Sequence, residues 1–401
     1  MTIDWVSWIG LAIRWLHVIT GIAWIGASFY FVWLDNNLRK GPHSQPGEAG
    51  DLWAVHGGGF YHNKKYLVAP DDLPDHLHWF KYEAYFTWIS GFLLLGVVYY
   101  YGATLYLIDP LKADLSRIEA IAIGLGSLVA SWLIYDALCR SPLGRHHRLL
   151  GVIWFALLTA AAYGLDQVFS GRGAYIHVGA MIGTAMVANV FFIIIPNQKK
   201  VVAAMLRGDQ PDPALGMAAK QRSLHNNYMT LPVLFIMVSN HYPMTFSNPY
   251  GWAVLAGISL SGIIIRHFFN LRHHGKTHGG LIALAVAIFV LTMIFAADMQ
   301  HRAQAALKPA DVIRYADIEP IMSRHCTSCH AARPRHEFFE ITPADVMLET
   351  KAQLEQHAAR VRAQAVDADI MPLGNETGMT PAERARLGAY LDQLRNQKSA
   401  P

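Results

Sequence analysis

The chain has 401 residues, of which 53% are hydrophobic and only 15% charged, where soluble domains average about 25% charged. That balance excludes a purely soluble domain and points to several membrane spans plus a soluble part. The net charge of +4 singles out no partner, no nucleic acid is expected, and three cysteines, two of them in one short motif, exclude a disulfide framework.

The N-terminus, "MTIDWVSWIG", has neither a basic leader nor a small-residue cleavage site. The first apolar run therefore reads as a retained helix. Eight stretches are long and apolar enough to cross about 30 Å of hydrocarbon: residues 13–34, 80–101, 118–138, 149–169, 174–196, 228–242, 252–269 and 281–297. The sixth is short as an apolar run. It is expected to begin earlier, in "SLHNNYMTLPV", with its polar side chains facing the bundle interior. Between the first two spans lies a long loop containing "AVHGGGFYHNKKYLVAP". Its three glycines permit close backbone approach to a ligand, and the loop is placed to act as a lid. Neither G-x-G-x-x-G nor a P-loop occurs. Residues 298–311 read as a linker and 312–401 as a small soluble domain. Within that domain "TPAE" at 380–383 is a capping box with proline at the first helical position. It opens a helix whose Leu387, Tyr390, Leu391 and Leu394 share one face. The expected fold class is all-α: an eight-helix transmembrane bundle over 1–297, then the soluble domain.

Sidedness follows from the loops. Those after spans one, three, five and seven carry fourteen Lys and Arg, Lys276 among them, against three in the loops after two, four and six. The positive-inside rule makes the first set cytoplasmic. Both termini then lie outside, in the periplasm of a bacterial inner membrane. The soluble domain contains Cys326-Thr327-Ser328-Cys329-His330. Two thiols at this spacing add to the two vinyl groups of one haem, and the following histidine reaches the iron. No second cysteine pair completes a zinc site. Cys139 reads as an inert, small apolar side chain. Covalent haem is attached on the outer side, so motif and loop charges give one topology. Met371 and Met379 are the candidates for the sixth iron ligand. Met371, which precedes Pro372, is preferred, because a Met-Pro loop presents sulfur to iron in small class I cytochromes c, which the tail resembles.

Ionisable residues within spans default to functional roles. His17, His177 and His241 fall near the outer face. Two readings stand. They ligate a haem b, with Gly21, Gly179 and Gly183 admitting the ring, or they bond interior carbonyls beside glycines that pack helices. Toward the inner face lie Glu83, Asp136, His225, Asn226, Asn227, Arg266 and His267. Such a set suits a planar, anionic, hydrogen-bonding substrate, with arginine forked onto negative oxygen. It equally suits a structural ion-pair cluster, snorkelling interfacial side chains, or an inner haem on His225 or His267.

The stretches "AVHGGGFYHNKKYLVAP", "WFKYEAYFTWISGFLL", "HVGAMIGTAMVANVFFIIIPNQKK" and "LHNNYMTLPVLFIMVSNHYP" resemble the bacterial integral-membrane, cytochrome c-type urate oxidases (urate hydroxylases). "WLHVITGIAWIGASFY" also looks like the first helix of haem-binding families such as the four-helix protoporphyrinogen oxidases. The first resemblance implies oxidation of urate to 5-hydroxyisourate within the bilayer. Electrons would pass through one covalent haem c, held by Cys326 and Cys329 with His330 and Met371 as axial ligands, to a periplasmic or membrane cytochrome or a terminal oxidase. The residues themselves nominate Glu83 or His225 as base and Arg266 as stabiliser of the urate anion. Asn226, Asn227, His267 and Asp136 would line the pocket. An inner pocket would lie a full hydrocarbon thickness from an outer haem c, so either a haem b relays electrons or the pocket is on the outer side. Two rival readings are a membrane-anchored electron-transfer subunit drawing on quinol or a partner complex, and a haem- or porphyrin-oxidising enzyme.

Overall fold

The computed structural model describes residues 5–399 apart from 43, 69, 71–72, 274–277 and 308–311. Lys276 and the end of the expected linker, 308–311, lie outside the described residues. Helix α1 (Trp5–Asn37) is followed by an antiparallel hairpin, β1 (Glu48–His56) and β2 (Gly59–Tyr66). The chain is mostly helical, as expected, and this two-stranded sheet is an addition that the sequence reading did not include. The glycine triplet explains it. Gly57 and Gly58 have φ of 57° and 80°, and His56 pairs with Gly59. A two-residue hairpin turn requires positive φ at both central positions to match strand twist. These glycines therefore make a turn, not the ligand cradle expected of them.

The remaining helices of the first part are α2 (Tyr82–Leu94), running into a π-helical turn at Leu95–Tyr100, then α3 (Ala103–Tyr106), α4 (Arg117–Arg140) and α5 (His147–Val168). Next come α6 (Gly171–Ala188), a second π-helical turn at Asn189–Ile194 and α7 (Ile195–Leu206). Helices α8 (Pro213–Ser239), α9 (Gly251–His273) and α10 (Gly279–Ala306) complete this part. Six of the described helical runs are long and apolar enough to cross a membrane: α1, α4, α5, α6 with α7, α9 and α10. All eight expected stretches are helical, but two miss that standard. Helix α2 with its π turn, and α8, carry too many polar side chains to meet it. As expected, α8 starts well before its apolar run. It buries Arg222, Asn226, Asn227 and Thr230 against the bundle.

Helix α6 is the centre of the bundle, buried along its length by α4, α5 and α8. The outer helices show the opposite pattern. None of the apolar stretch of α1 is buried, and its Trp15 and Ile22 are 70% and 68% exposed. Apolar surface on this scale needs a non-aqueous neighbour.

The stretch read as a linker is helical through Ala306, continuing α10. Beyond it, α11 (Tyr315–His325), α12 (Lys351–Gln356), α13 (Ala358–Val361) and α14 (Pro381–Ser399) form a small tail. The tail has its own core of Ile318, Leu354, Met379, Leu387, Tyr390 and Leu391. The capping box is formed: the Glu383 amide donates to Thr380 Oγ1 at 3.2 Å, and the Thr380 amide donates to the Glu383 carboxylate at 2.8 Å. The tail rests on the end of the bundle that carries α3. Asn375 Nδ2 donates to Asp109 at 3.3 Å, Arg117 pairs with Glu337 at 3.0 Å, and the Tyr101 and Phe338 rings meet at 5.7 Å. Gly374 has φ 59°, and a Cβ there would lie 2.6 Å from the Leu105 carbonyl oxygen. Only glycine allows so close an approach.

Candidate functional site

The Cys-x-x-Cys-His motif directly follows α11. The amides of Cys329 and His330 both donate to the Cys326 carbonyl, at 3.3 and 2.9 Å. This tight turn brings both sulfurs and the imidazole to one cavity of about 610 Å³. His330 Nδ1–H donates to the Val346 carbonyl at 2.8 Å. That bond fixes the ring and leaves Nε2 with its lone pair, the arrangement metal-binding histidines use. Burial holds the His330 imidazole below its ordinary pKa and pushes the Cys326 thiol up to about 12, with Cys329 also raised.

Met371 and Met379 both reach the cavity. Met379 is packed into the tail core, whereas Met371 stands at its edge. Arg384 pins the Met371 loop. It donates to the Met371 carbonyl at 2.5 Å and to Asn375 Oδ1 at 3.1 Å, and it pairs with Asp369 at 2.5 Å. The cavity size is in the range for cofactor sites. Its donor set of two thiols, a free imidazole nitrogen and a thioether fits a covalently held haem c. Leu105 and Tyr106 of α3 also line it, so one wall of the crevice belongs to the bundle.

The inner residues do not form one pocket. They fall into two networks. In the first, Arg222 donates to Asp136 at 2.7 Å and to Asn189 Oδ1 at 3.2 Å. Asn189 Nδ2 donates to Asn226 Oδ1 at 2.8 Å and to the Tyr135 hydroxyl at 3.2 Å. That hydroxyl has its own proton for His225 Nδ1, 2.8 Å away. In the second, Asn227 joins Asn270 at 3.1 Å and accepts from Arg266 Nε. The Arg266 guanidinium lies 3.9 Å over the Phe29 ring, and its Nη2 is buried without a partner. Glu83 belongs to neither: no hydrogen bond or ion pair of its carboxylate occurs among the described residues. His267 is exposed and, among the described residues, bonds Tyr228 alone, at 2.8 Å. Neighbours in sequence, Asn226 and Asn227, thus serve different networks because adjacent helical residues point about 100° apart.

Sequence reasoning missed Asn189, Tyr135, Asn270 and the buried position of Arg222. Asn189 left a readable signal, a lone amide in the apolar run "AMVANVFFIII". It opens the second π-helical turn, a distortion that recurs at functional sites.

The outer histidines do not bracket a haem. His177 is fully buried. Its Nδ1–H donates to the Gly173 carbonyl at 2.8 Å, and its Nε2 lies 3.3 Å from the Tyr100 hydroxyl. A Cβ on Gly124 would lie 2.6 Å from that same Nε2, so helix α4 occupies the space a porphyrin would need. His17 faces α2 instead. Its Nδ1 lies 2.9 Å from the Thr87 carbonyl and 3.1 Å from the Ser90 hydroxyl, with the ring against Gly91. His241 is exposed beyond α8. Gly179 packs on Ile236 of α8, as the plain helix-packing reading expects. His177 Nε2 is therefore closed off from a haem, whereas His17, bonded through Nδ1 alone, pairs with no second histidine in a bis-histidine site among the described contacts.

No curated protein and no solved structure matches the chain. Residues 3–297, which take in all of the helical bundle but the end of α10, match the family model described as urate oxidase N-terminal, and the chain therefore belongs to the urate oxidase N-terminal family.

Proposed function

We propose that the chain is a membrane urate oxidase that converts urate and water to 5-hydroxyisourate, two protons and two electrons, and passes those electrons singly into its tail. Membership of the urate oxidase N-terminal family supports the substrate. The observation that carries the electron route is the crevice of Cys326, Cys329, His330 and Met371, walled on one side by Tyr106 of the bundle. The two cysteines would hold haem c by thioether bonds, with His330 Nε2 and Met371 sulfur on the iron. Haem c bound there supplies one-electron acceptance, with a further cytochrome or a terminal oxidase as the external acceptor. The tail is periplasmic on this reading, since it docks on the end of the bundle with few basic loop residues.

The test is direct. Urate added without oxygen to the oxidised, full-length holoprotein is expected to bring up the absorbance of reduced haem c. An unchanged spectrum, in protein that dithionite reduces normally, overturns the proposal. Reduction by quinol but not by urate would assign the chain to electron transfer alone.

A further inference from the structure

Electrons leaving urate must reach the tail. Arg266 lies fifteen residues along α9 from Gly251, roughly 22 Å deeper in the bundle at 1.5 Å per residue. The network around Arg266 is therefore poorly placed to hand electrons to the tail directly.

A second cavity is better placed. It holds about 500 Å³ between the loop after α3, the start of α6, the α8–α9 loop and the Asp369–Asn375 segment of the tail. Leu105, Tyr106 and Leu373 line both this cavity and the haem crevice. A molecule here would be separated from the crevice by little more than one layer of side chains.

The cavity is lined by Asp109, Asp166 and Asp369 and by Lys112 and Arg172. Lys112 pairs with Asp166 at 2.7 Å, Asp369 with Arg384 at 2.5 Å, and Asp109 accepts from Asn375 at 3.3 Å. Arg172 has no carboxylate partner among the described residues. Only its Nε is engaged, donating to the Tyr99 hydroxyl at 3.2 Å and to Asn240 Oδ1 at 3.1 Å. Its guanidinium lies 5.0 Å over the Tyr106 ring. Among the described residues no hydrogen bond takes up its two terminal nitrogens, which form the fork that matches a pair of anionic or carbonyl oxygens.

We propose that this cavity, and not the inner networks, binds the planar, oxygen-rich heteroaromatic anion that the enzyme oxidises, with the Arg172 fork on its oxygens and Tyr106 between it and the haem crevice. The inference rests on the urate oxidase reading and names the site for it.

The experiment is equilibrium dialysis of urate against the full-length holoprotein in detergent, under argon with its haem already reduced. Binding is thus measured apart from oxidation. Arg172→Gln is expected to weaken binding about tenfold or more, the worth of a charge-assisted hydrogen bond, and Arg172→Lys by less. Ser247→Trp, which fills the cavity and leaves the arginine in place, is expected to weaken binding as strongly. It keeps the test alive where the arginine variant fails to fold. Wild-type affinity in both Arg172→Gln and Ser247→Trp overturns the proposal. So does loss of binding on Arg266→Gln with Arg172→Gln unaffected, which returns the substrate to the inner network. Absence of urate binding to the wild type overturns it together with the function. Haem reduction is scored separately. Reduction with Arg172-independent binding removes this site and keeps the function, while Arg172-dependent binding without reduction keeps the site and removes the function.

Discussion

Arg222 is 3% exposed in the middle of a helical bundle, where an unpaired cation is expensive. Asp136 meets its charge at 2.7 Å, and Asn189 takes a second donor. The charges of this network are matched, as a structural element requires, while at its edge His225 Nε2 is buried without a hydrogen-bond partner among the described residues. Removing one partner of a buried pair leaves the other charge stranded, at about 3 kcal/mol or more. Asp136→Asn is therefore expected to lower the thermal midpoint of the detergent-solubilised protein markedly. Replacing Asp136 and Arg222 together by apolar residues of similar size should recover most of the loss. Wild-type melting of Asp136→Asn would show that the pair holds nothing together. Arg266 is a different case. It has an amide and an aromatic face but no acid among the described residues, and its Nη2 is buried without a partner. The sequence displays both arginines alike, as cations beside apolar runs. Partnership, which separates them, depends on which helices meet and cannot be read along one strand of text.

Elements were more legible than their partnerships. Every stretch expected to span is helical, and the early start of α8, with its buried amides, follows from hydropathy and the cost of exposing polar groups to lipid. The Cys-x-x-Cys-His turn and the capping box were legible for the same reason: their geometry is local, confined to residues within one or two turns. The hairpin was not legible as such, because "HGGGF" is compatible with a ligand-binding loop until the strands on either side pair. The π-helical turns at Leu95–Tyr100 and Asn189–Ile194 leave no periodic signal either. Each shifts the register by one residue, and the second opens with Asn189 turned fully inward. The turn reading of Gly57 and Gly58 predicts a local defect. β-branched residues at positive φ cost about 1–2 kcal/mol each. Gly57→Val with Gly58→Val is expected to open the hairpin to limited proteolysis within residues 48–66 while urate affinity stays unchanged. A large loss of urate affinity with the hairpin still protected would restore the glycines to a binding role.

At the scale of the whole molecule the proposed function raises the question of how a two-electron substrate would meet a one-electron exit. A second haem in the bundle would solve it, and the outer histidines invited that reading from sequence. Two of them are poorly placed for it: His177 is wedged between Gly173 and Tyr100 against α4, and His241 stands in the open, while His17 bonds the backbone of α2 through Nδ1 alone. The alternative the fold offers is proximity. The tail docks on the bundle through Asp109, Arg117 and Tyr101, and the haem crevice and the Arg172 cavity share Tyr106 as a wall. Two electrons leaving a substrate held there travel one short path in succession, and the bundle need carry none across the bilayer. Haem content separates the two designs. Pyridine haemochrome analysis of the purified full-length protein is expected to find one covalent haem per chain and no extractable haem. Cys326→Ser with Cys329→Ser should then leave the protein without haem altogether. One equivalent of acid-acetone-extractable haem, retained in that double variant and lost on His17→Ala or His177→Ala, would overturn the proximity design and put the relay back inside the bundle.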